Sequence, residues 1–127
     1  MFANTKATNG FAVDDIEAAK EFYGETLGLG FTVMSEEFGV ATIQLAGGRN
    51  TLVYRKPDFV PATYTILNFE VDDVDAAVEE LDSKGVEFER YEGFEQDEKG
   101  IARGPGPSIA WFKDPAGNIL SVLQQPS

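Results

Sequence analysis

Phe11-Ala12-Val13-Asp14-Asp15-Ile16-Glu17-Ala18-Ala19 and Phe69-Glu70-Val71-Asp72-Asp73-Val74-Asp75-Ala76-Ala77 are two versions of one phrase. The second follows the first by 58 residues, nearly half of the 127-residue chain. Self-similarity at such a spacing marks two copies of one supersecondary unit. Each copy reads as a strand, a cap and a helix. In the first, Asn9, Phe11 and Val13 alternate with Thr8, Gly10 and Ala12, which is strand period. Asp14 or Asp15 then supplies a carboxylate for the free N–H groups of a helix. Ile16, Ala19, Phe22 or Tyr23, and Leu27 recur at helical spacing, and Gly28 and Gly30 close the helix. In the second copy, Leu67, Phe69 and Val71 alternate with Ile66, Asn68 and Glu70, and Asp72 or Asp73 caps. Val74, Ala77, Val78 and Leu81 fall at i, i+3, i+4 and i+7 before Gly85.

Working outward, the pattern returns to strands after each helix. The first half predicts strands at Phe31–Glu36, Val40–Leu45 and Thr51–Arg55, with Gly47-Gly48 turning between the last two. The second half predicts strands at Val86–Tyr91, Ser108–Lys113 and Ile119–Gln124, the last two joined by the turn Asp114-Pro115-Ala116-Gly117-Asn118. The expected fold is a single α+β domain. It comprises two tandem βαβββ modules, residues 1–60 and 61–127, that form a curved mixed sheet with a concave groove. The joint at Pro57–Pro61 is too short and apolar for a flexible linker. Phe11, Val13, Leu67, Phe69 and Val71 are expected to face the helices. Thr8, Gly10, Ile66, Asn68 and Glu70 then face the groove.

Composition bounds the function. The chain has 22 Asp and Glu against 10 Lys and Arg, a net charge of -12. Residues 1–64 hold 8 acids and 5 bases, and residues 65–127 hold 14 acids and 5 bases. Such a surface repels phosphate backbones, so nucleic acid is not an expected partner, whereas a cationic ligand would be attracted. Hydrophobic residues make up 43% of the chain, enough for a packed core. No apolar run approaches the ~18 residues of a membrane span. Met1 to Gly10 does not read as a secretory signal, and the expected compartment is the cytoplasm. The chain contains no His and no Cys. That removes disulfides, thiolate and imidazole ligands, and the usual nucleophile–base pairs.

With these features in place, the chain resembles the vicinal oxygen chelate superfamily, which includes glyoxalase I, extradiol dioxygenases, and fosfomycin and bleomycin resistance proteins. The resemblance covers nearly the whole chain. It rests on Phe11-Ala12-Val13-Asp14-Asp15, on Phe22-Tyr23 followed by Leu27-Gly28, on Val71-Asp72-Asp73 with its helix, and on Asp114-Pro115-Ala116-Gly117-Asn118 before the last strand. It implies that a metal enzyme of this kind would place ligands at Thr8, Ile66 and Ser121. Thr and Ser hydroxyls are poor ligands for transition metals and Ile offers no donor, so no metal and no cofactor is expected here.

The remaining candidates come from the residues themselves. Thr8, Asn68 and Ser121 can form a polar patch that orients a ligand, or they are ordinary half-exposed strand residues. Glu70 is the acid that the pattern places on the groove side. Trp111 and Phe112 are adjacent on a strand, so one packs under a helix and the other reaches the groove. Trp111, Tyr54, Tyr64 and Tyr91 can stack on a planar or cationic ligand, or simply fill the core. Gly93 to Pro107 reads as a long mobile loop, with Arg103 available to an anionic group or merely solvated. Glu87-Phe88-Glu89-Arg90-Tyr91-Glu92 reads as a strand with one wet face, or as an acidic docking face. The expected function is metal-independent binding of a small organic molecule, cationic or aromatic, with sequestration of a toxic or antibiotic compound as the biological role. The alternatives are a lyase, isomerase or dioxygenase with a non-standard site, and an accessory subunit. The resemblance also implies a homodimer.

Overall fold

The computed structural model describes residues 1–126. Its contacts divide the chain into two compact units, Met1–Pro61 and Ala62–Ser127. Both are of βαβββ type with mixed sheets. No helix among the described residues is long and apolar enough to cross a membrane.

The first unit runs β1 (Asn9–Val13), α1 (Ile16–Ala19), a π-helical stretch (Lys20–Thr26), β2 (Gly30–Ser35), β3 (Val40–Leu45) and β4 (Arg49–Arg55). The sheet order is β1-β4-β3-β2. β1 and β4 are parallel, and the other pairings are antiparallel. Phe11, Val53, Ala41 and Val33 lie in one register row. With Val13 and Ile43 they build the face that meets Ile16, Ala19 and Tyr23, and of these Val33 alone is half-buried while the rest are buried. Asp15, not Asp14, is the cap: its carboxylate accepts from Ala18 N–H at 3.1 Å. The expected α-helix over 16–27 keeps α geometry for only one turn. Leu27 N–H then reaches back five residues to the Phe22 carbonyl at 2.9 Å, the wider π register. Tyr23 is fully buried against Phe11, and Phe22 packs on Tyr23 edge-on with ring centroids 5.2 Å apart.

The second unit runs β5 (Thr65–Glu70), α2 (Val74–Ser83), β6 (Ser108–Lys113) and β7 (Ile119–Gln124), with sheet order β5-β7-β6. β5 and β7 are parallel, β6 and β7 antiparallel. Asp73, not Asp72, caps α2 by accepting from Ala76 N–H at 3.1 Å. Val74, Val78 and Leu81 bury the helix stripe read from the sequence. The Asp114–Asn118 turn is a buried polar knot. Asp114 accepts from Asn118 N–H at 2.8 Å and from its side-chain amide at 3.1 Å, and Asn118 Oδ1 accepts from Ala62 N–H at 3.2 Å.

Two expectations fail in this unit. Val86–Tyr91 is not a strand; it touches the sheet through a lone bridge, Phe88 to Phe112, and a Glu89 N–H to Trp111 carbonyl bond of 2.8 Å. Two more of the segment's backbone groups are met by a side chain. Gln96 Nε2 donates to the carbonyls of Glu89 (2.9 Å) and Gly100 (2.8 Å), and Gln96 Oε1 accepts from Tyr91 N–H at 2.8 Å. Nor is 93–107 a free loop throughout. Ile101 is fully buried, Ala102 bridges to Gln96 and Ile109, and Asp97 Oδ1 accepts from both Lys99 and Ile101 N–H at 2.9 Å.

Candidate functional site

Each sheet has a helix-covered face and an open face, and the period of two decides which side chains reach the open one. In the second unit, Phe69, Leu120, Val122, Ala110 and Phe112 take the covered face. Asn68, Ser121 and Trp111 fall in one register row on the open face. Ser121 is fully buried, and its hydroxyl donates to Asn68 Oδ1 at 2.5 Å, while Asn68 itself is exposed. The order on this row is therefore amide, hydroxyl, indole.

Trp111 is only 9% exposed, because two aromatic rings cover it. Tyr91 meets it edge-on at 5.4 Å and Phe94 at 4.9 Å with a 56° tilt. Of the adjacent pair at 111–112, Phe112 is the one under the helix, fully buried against Phe88. The Tyr91 hydroxyl is buried and has no hydrogen-bond partner among the described residues. Burial raises its pKa, the Glu89 carboxylate adds to the rise, and Lys113 opposes it. The phenol therefore keeps its proton at neutral pH and is a donor. Glu89 and Lys113 form an ion pair at 3.4 Å.

The other sequence candidates stand outside this register row. Ile66 is half-buried at a β5 bulge, where register slips between Thr65 and Leu67. Glu70 is exposed and accepts from Gln125 Nε2 at 3.1 Å. Arg103 is committed within its own unit: it donates to Asp75 of α2 at 2.6 Å and to Asp97 at 3.1 Å. Lys99 joins the same cluster through Glu79 at 2.7 Å. In the first unit, Thr8 is exposed just ahead of β1, and Tyr54 is 37% exposed on the open face of β4 beside Leu52. Tyr54 pairs with Ala12, four residues along from Thr8, which is about 13 Å of strand. The sequence reading overlooked Phe94 and Gln96. An aromatic at the tip of Glu92-Gly93-Phe94-Glu95 was the available clue to the former.

Two open depressions lie elsewhere, one in each unit. One, of about 380 Å³, lies between α2 and the segment after it and is edged by Glu79, Asp82, Glu87 and Glu98. The other, of about 490 Å³, is edged by Asp15, Glu17, Glu21 and Glu25. Neither takes in a residue of the Asn68, Ser121 and Trp111 row; the first includes Glu87, Phe88 and Arg90 of the segment read as a docking face.

The sequence profile of the glyoxalase/bleomycin resistance protein/dioxygenase superfamily matches residues 7–122. The chain belongs to this superfamily. Among solved structures, it is similar to TnmS3, an antibiotic binding protein from Streptomyces sp. CB03234. The identity is 26%, with 97% of this chain and 98% of that one covered and a TM-score of 0.73. A glyoxalase/bleomycin resistance protein from the same organism matches at 25% identity, with 91% and 98% covered and a TM-score of 0.61. Lactoylglutathione lyase from Agrobacterium tumefaciens matches in fold, at 19% identity, 96% and 95% coverage and a TM-score of 0.69. No curated protein matches the chain.

In this superfamily a divalent cation would be sought at Thr8, Ile66 and Ser121. The residues present do not fit one. Ile66 has no donor atom, and the Ser121 hydroxyl points its proton at Asn68. Among the described residues no group of three or more His, Cys, Asp or Glu could hold a metal ion.

Proposed function

We propose that this superfamily member binds a small aromatic or cationic organic molecule without a metal, on the open face that carries Asn68, Ser121 and Trp111, and that it acts by sequestering a toxic or antibiotic compound. One observation carries the reading. At the position where a metal enzyme of the fold would hold a ligand, Ser121 instead forms a hydrogen bond to Asn68 beside an indole. That arrangement suits orientation of an organic molecule by hydrogen bonds and stacking. The net charge of -12 favours a cation over an anion. The likeness to an antibiotic binding protein at 26% identity supports the same direction. The reading also takes the working form to be a homodimer, which would cover Leu52 and Tyr54, two large side chains exposed on the first sheet.

A thermal-shift screen of planar natural products and cationic glycopeptides tests the proposal. At least one compound is expected to raise Tm in a concentration-dependent way, with no dependence on added nickel, zinc or manganese. A flat response across a broad panel, or stabilisation that needs a metal, would overturn it. Lactoylglutathione lyase activity is expected to stay at background with each metal added. Light scattering that gives the mass of one chain would remove the dimer from the reading.

A further inference from the structure

Phe94 behaves towards Trp111 as a ligand would. Its ring lies 4.9 Å from the indole, yet the side chain remains 55% exposed. Burial of Phe94 itself does not account for this position, because most of its apolar surface stays in water. Its effect is to cover Trp111.

The backbone that carries Phe94 is thinly held. Gly93 turns it at φ +89°, a conformation that L side chains rarely adopt. Phe94 N–H reaches the Tyr91 carbonyl at a long 3.4 Å. The flanking posts are firm by contrast: Gln96 ties Tyr91, Glu89 and Gly100 together with bonds of 2.8 to 2.9 Å. Residues 92–95 thus form a short flap between fixed ends, with an aromatic ring at its tip.

The Tyr91 hydroxyl supplies a second, independent observation. It is a buried donor without an acceptor among the described residues, beside the same indole. Buried polar groups are nearly always paired, and an unpaired one next to an open face points to something that pairs with it.

We propose that Phe94 occupies, in the free protein, the seat of a planar aromatic ring of the ligand, and that the Tyr91 hydroxyl donates to an acceptor atom on the edge of that ring. This rests on the binding reading above and names its ligand class: a flat ring system bearing a carbonyl or similar acceptor. Binding swings Phe94 off Trp111, and the ligand ring replaces it.

Trp111 is the single tryptophan of the chain, so its indole reports without ambiguity. Xanthone, planar with one carbonyl, serves as the probe. Phe94→Ala is expected to raise acrylamide quenching of Trp111 at least about twofold, and to tighten xanthone about threefold or more by removing the internal competitor. Tyr91→Phe is expected to keep the fold by circular dichroism and weaken xanthone about three- to tenfold, the worth of one hydrogen bond. In the wild-type protein xanthone is expected to move the lone indole N–H resonance. Unchanged quenching in Phe94→Ala, weaker xanthone binding by that variant, an unmoved indole, or no binding by either protein would overturn the proposal. A compound from the thermal-shift panel that stabilises the protein without moving the indole would overturn the seat and leave the binding reading standing.

Discussion

The two units tie their parallel strands with the same device on opposite faces. In the first, Thr51 Oγ1 donates to Asn9 Oδ1 at 3.0 Å, on the covered face, and Thr51 is 1% exposed. In the second, Ser121 Oγ donates to Asn68 Oδ1 at 2.5 Å, on the open face. Against the repeat, Asn9 aligns with Leu67, and Asn68 aligns with Gly10. The polar pair has moved by one residue, and a one-residue move on a strand exchanges core for surface. Where the second unit shows Asn68 and Ser121, the first shows Gly10 against Leu52. A Cβ on Gly10 would lie 3.0 Å from the Leu52 carbonyl oxygen, so a side chain there requires Leu52 to give way. Duplication supplied two scaffolds, and a shift of one position put the bonded amide–hydroxyl pair on the covered face of the first and on the open face of the second.

The largest expected effect concerns the strand that the second unit lacks. Gln96→Ala removes three partly buried hydrogen bonds that replace strand pairing, and about 2–3 kcal/mol of stability should go with them in urea denaturation. A cost below about 0.5 kcal/mol would show that the Phe88 bridge suffices alone. Next comes the polar pair itself. Thr51→Val should cost about 1 kcal/mol and leave ligand binding unchanged, whereas Ser121→Ala should weaken binding several-fold for a similar loss of stability. Equal effects on binding would dissolve the distinction between the two faces. The caps should then behave alike: Asp15→Ala and Asp73→Ala are each expected to cost about 1 kcal/mol. A marked inequality would mean that the π-helical continuation of α1 changes what its cap is worth.

The smallest effect belongs to Arg103, whose ion pairs are largely solvated. Arg103→Gln should cost less than about 1 kcal/mol at neutral pH. The hydrogen bond from Arg103 holds the Asp75 carboxyl below its ordinary pKa. Asp97 is also held low, against a burial effect that raises it, by Ile101 N–H, Arg103 and Lys99 N–H. Groups with a depressed folded-state pKa stabilise fully above the unfolded value of about 4, and lose that contribution as pH falls through the folded value. The gap between wild type and Arg103→Gln should therefore be complete above about pH 4 and close below it. A gap that widens in acid would show that the cluster works by some other means.

What the sequence disclosed was local. Each cap is a short-range hydrogen bond to a backbone N–H three residues on, and the Asp114–Asn118 knot closes within five residues, so residue type and spacing declare them. The strand faces followed from alternation. The π-helical stretch was hidden because Phe22 and Tyr23 both suit an α-helical stripe, and periodicity cannot tell a turn of 3.6 residues from a wider one over so short a run. Alternation in Glu87-Phe88-Glu89 signalled a strand, but a strand also needs a neighbour, and Gln96 had taken that role. Arg103 reads as a free cation in a polar loop until Asp75, 28 residues earlier, is brought beside it. The role of Phe94 was hidden for the same reason: its position in a loop hints at it, but its contact is with Trp111, distant in sequence.

The parallel pairings also set an order of events during synthesis. Among the described residues β1 finds its sheet neighbour in β4 alone, and Asn9 bonds to Thr51 across 42 residues; Asn68 bonds to Ser121 across 53. The antiparallel hairpins β2–β3–β4 and β6–β7 can zip as they leave the ribosome, but each opening strand must wait, edge bare, until the closing strand of its unit has emerged. Loop closure over such distances is slow, and it governs the folding rate. The first unit can finish while the second is still being translated, and the two strands that carry the repeated phrase are the last of their units to be seated.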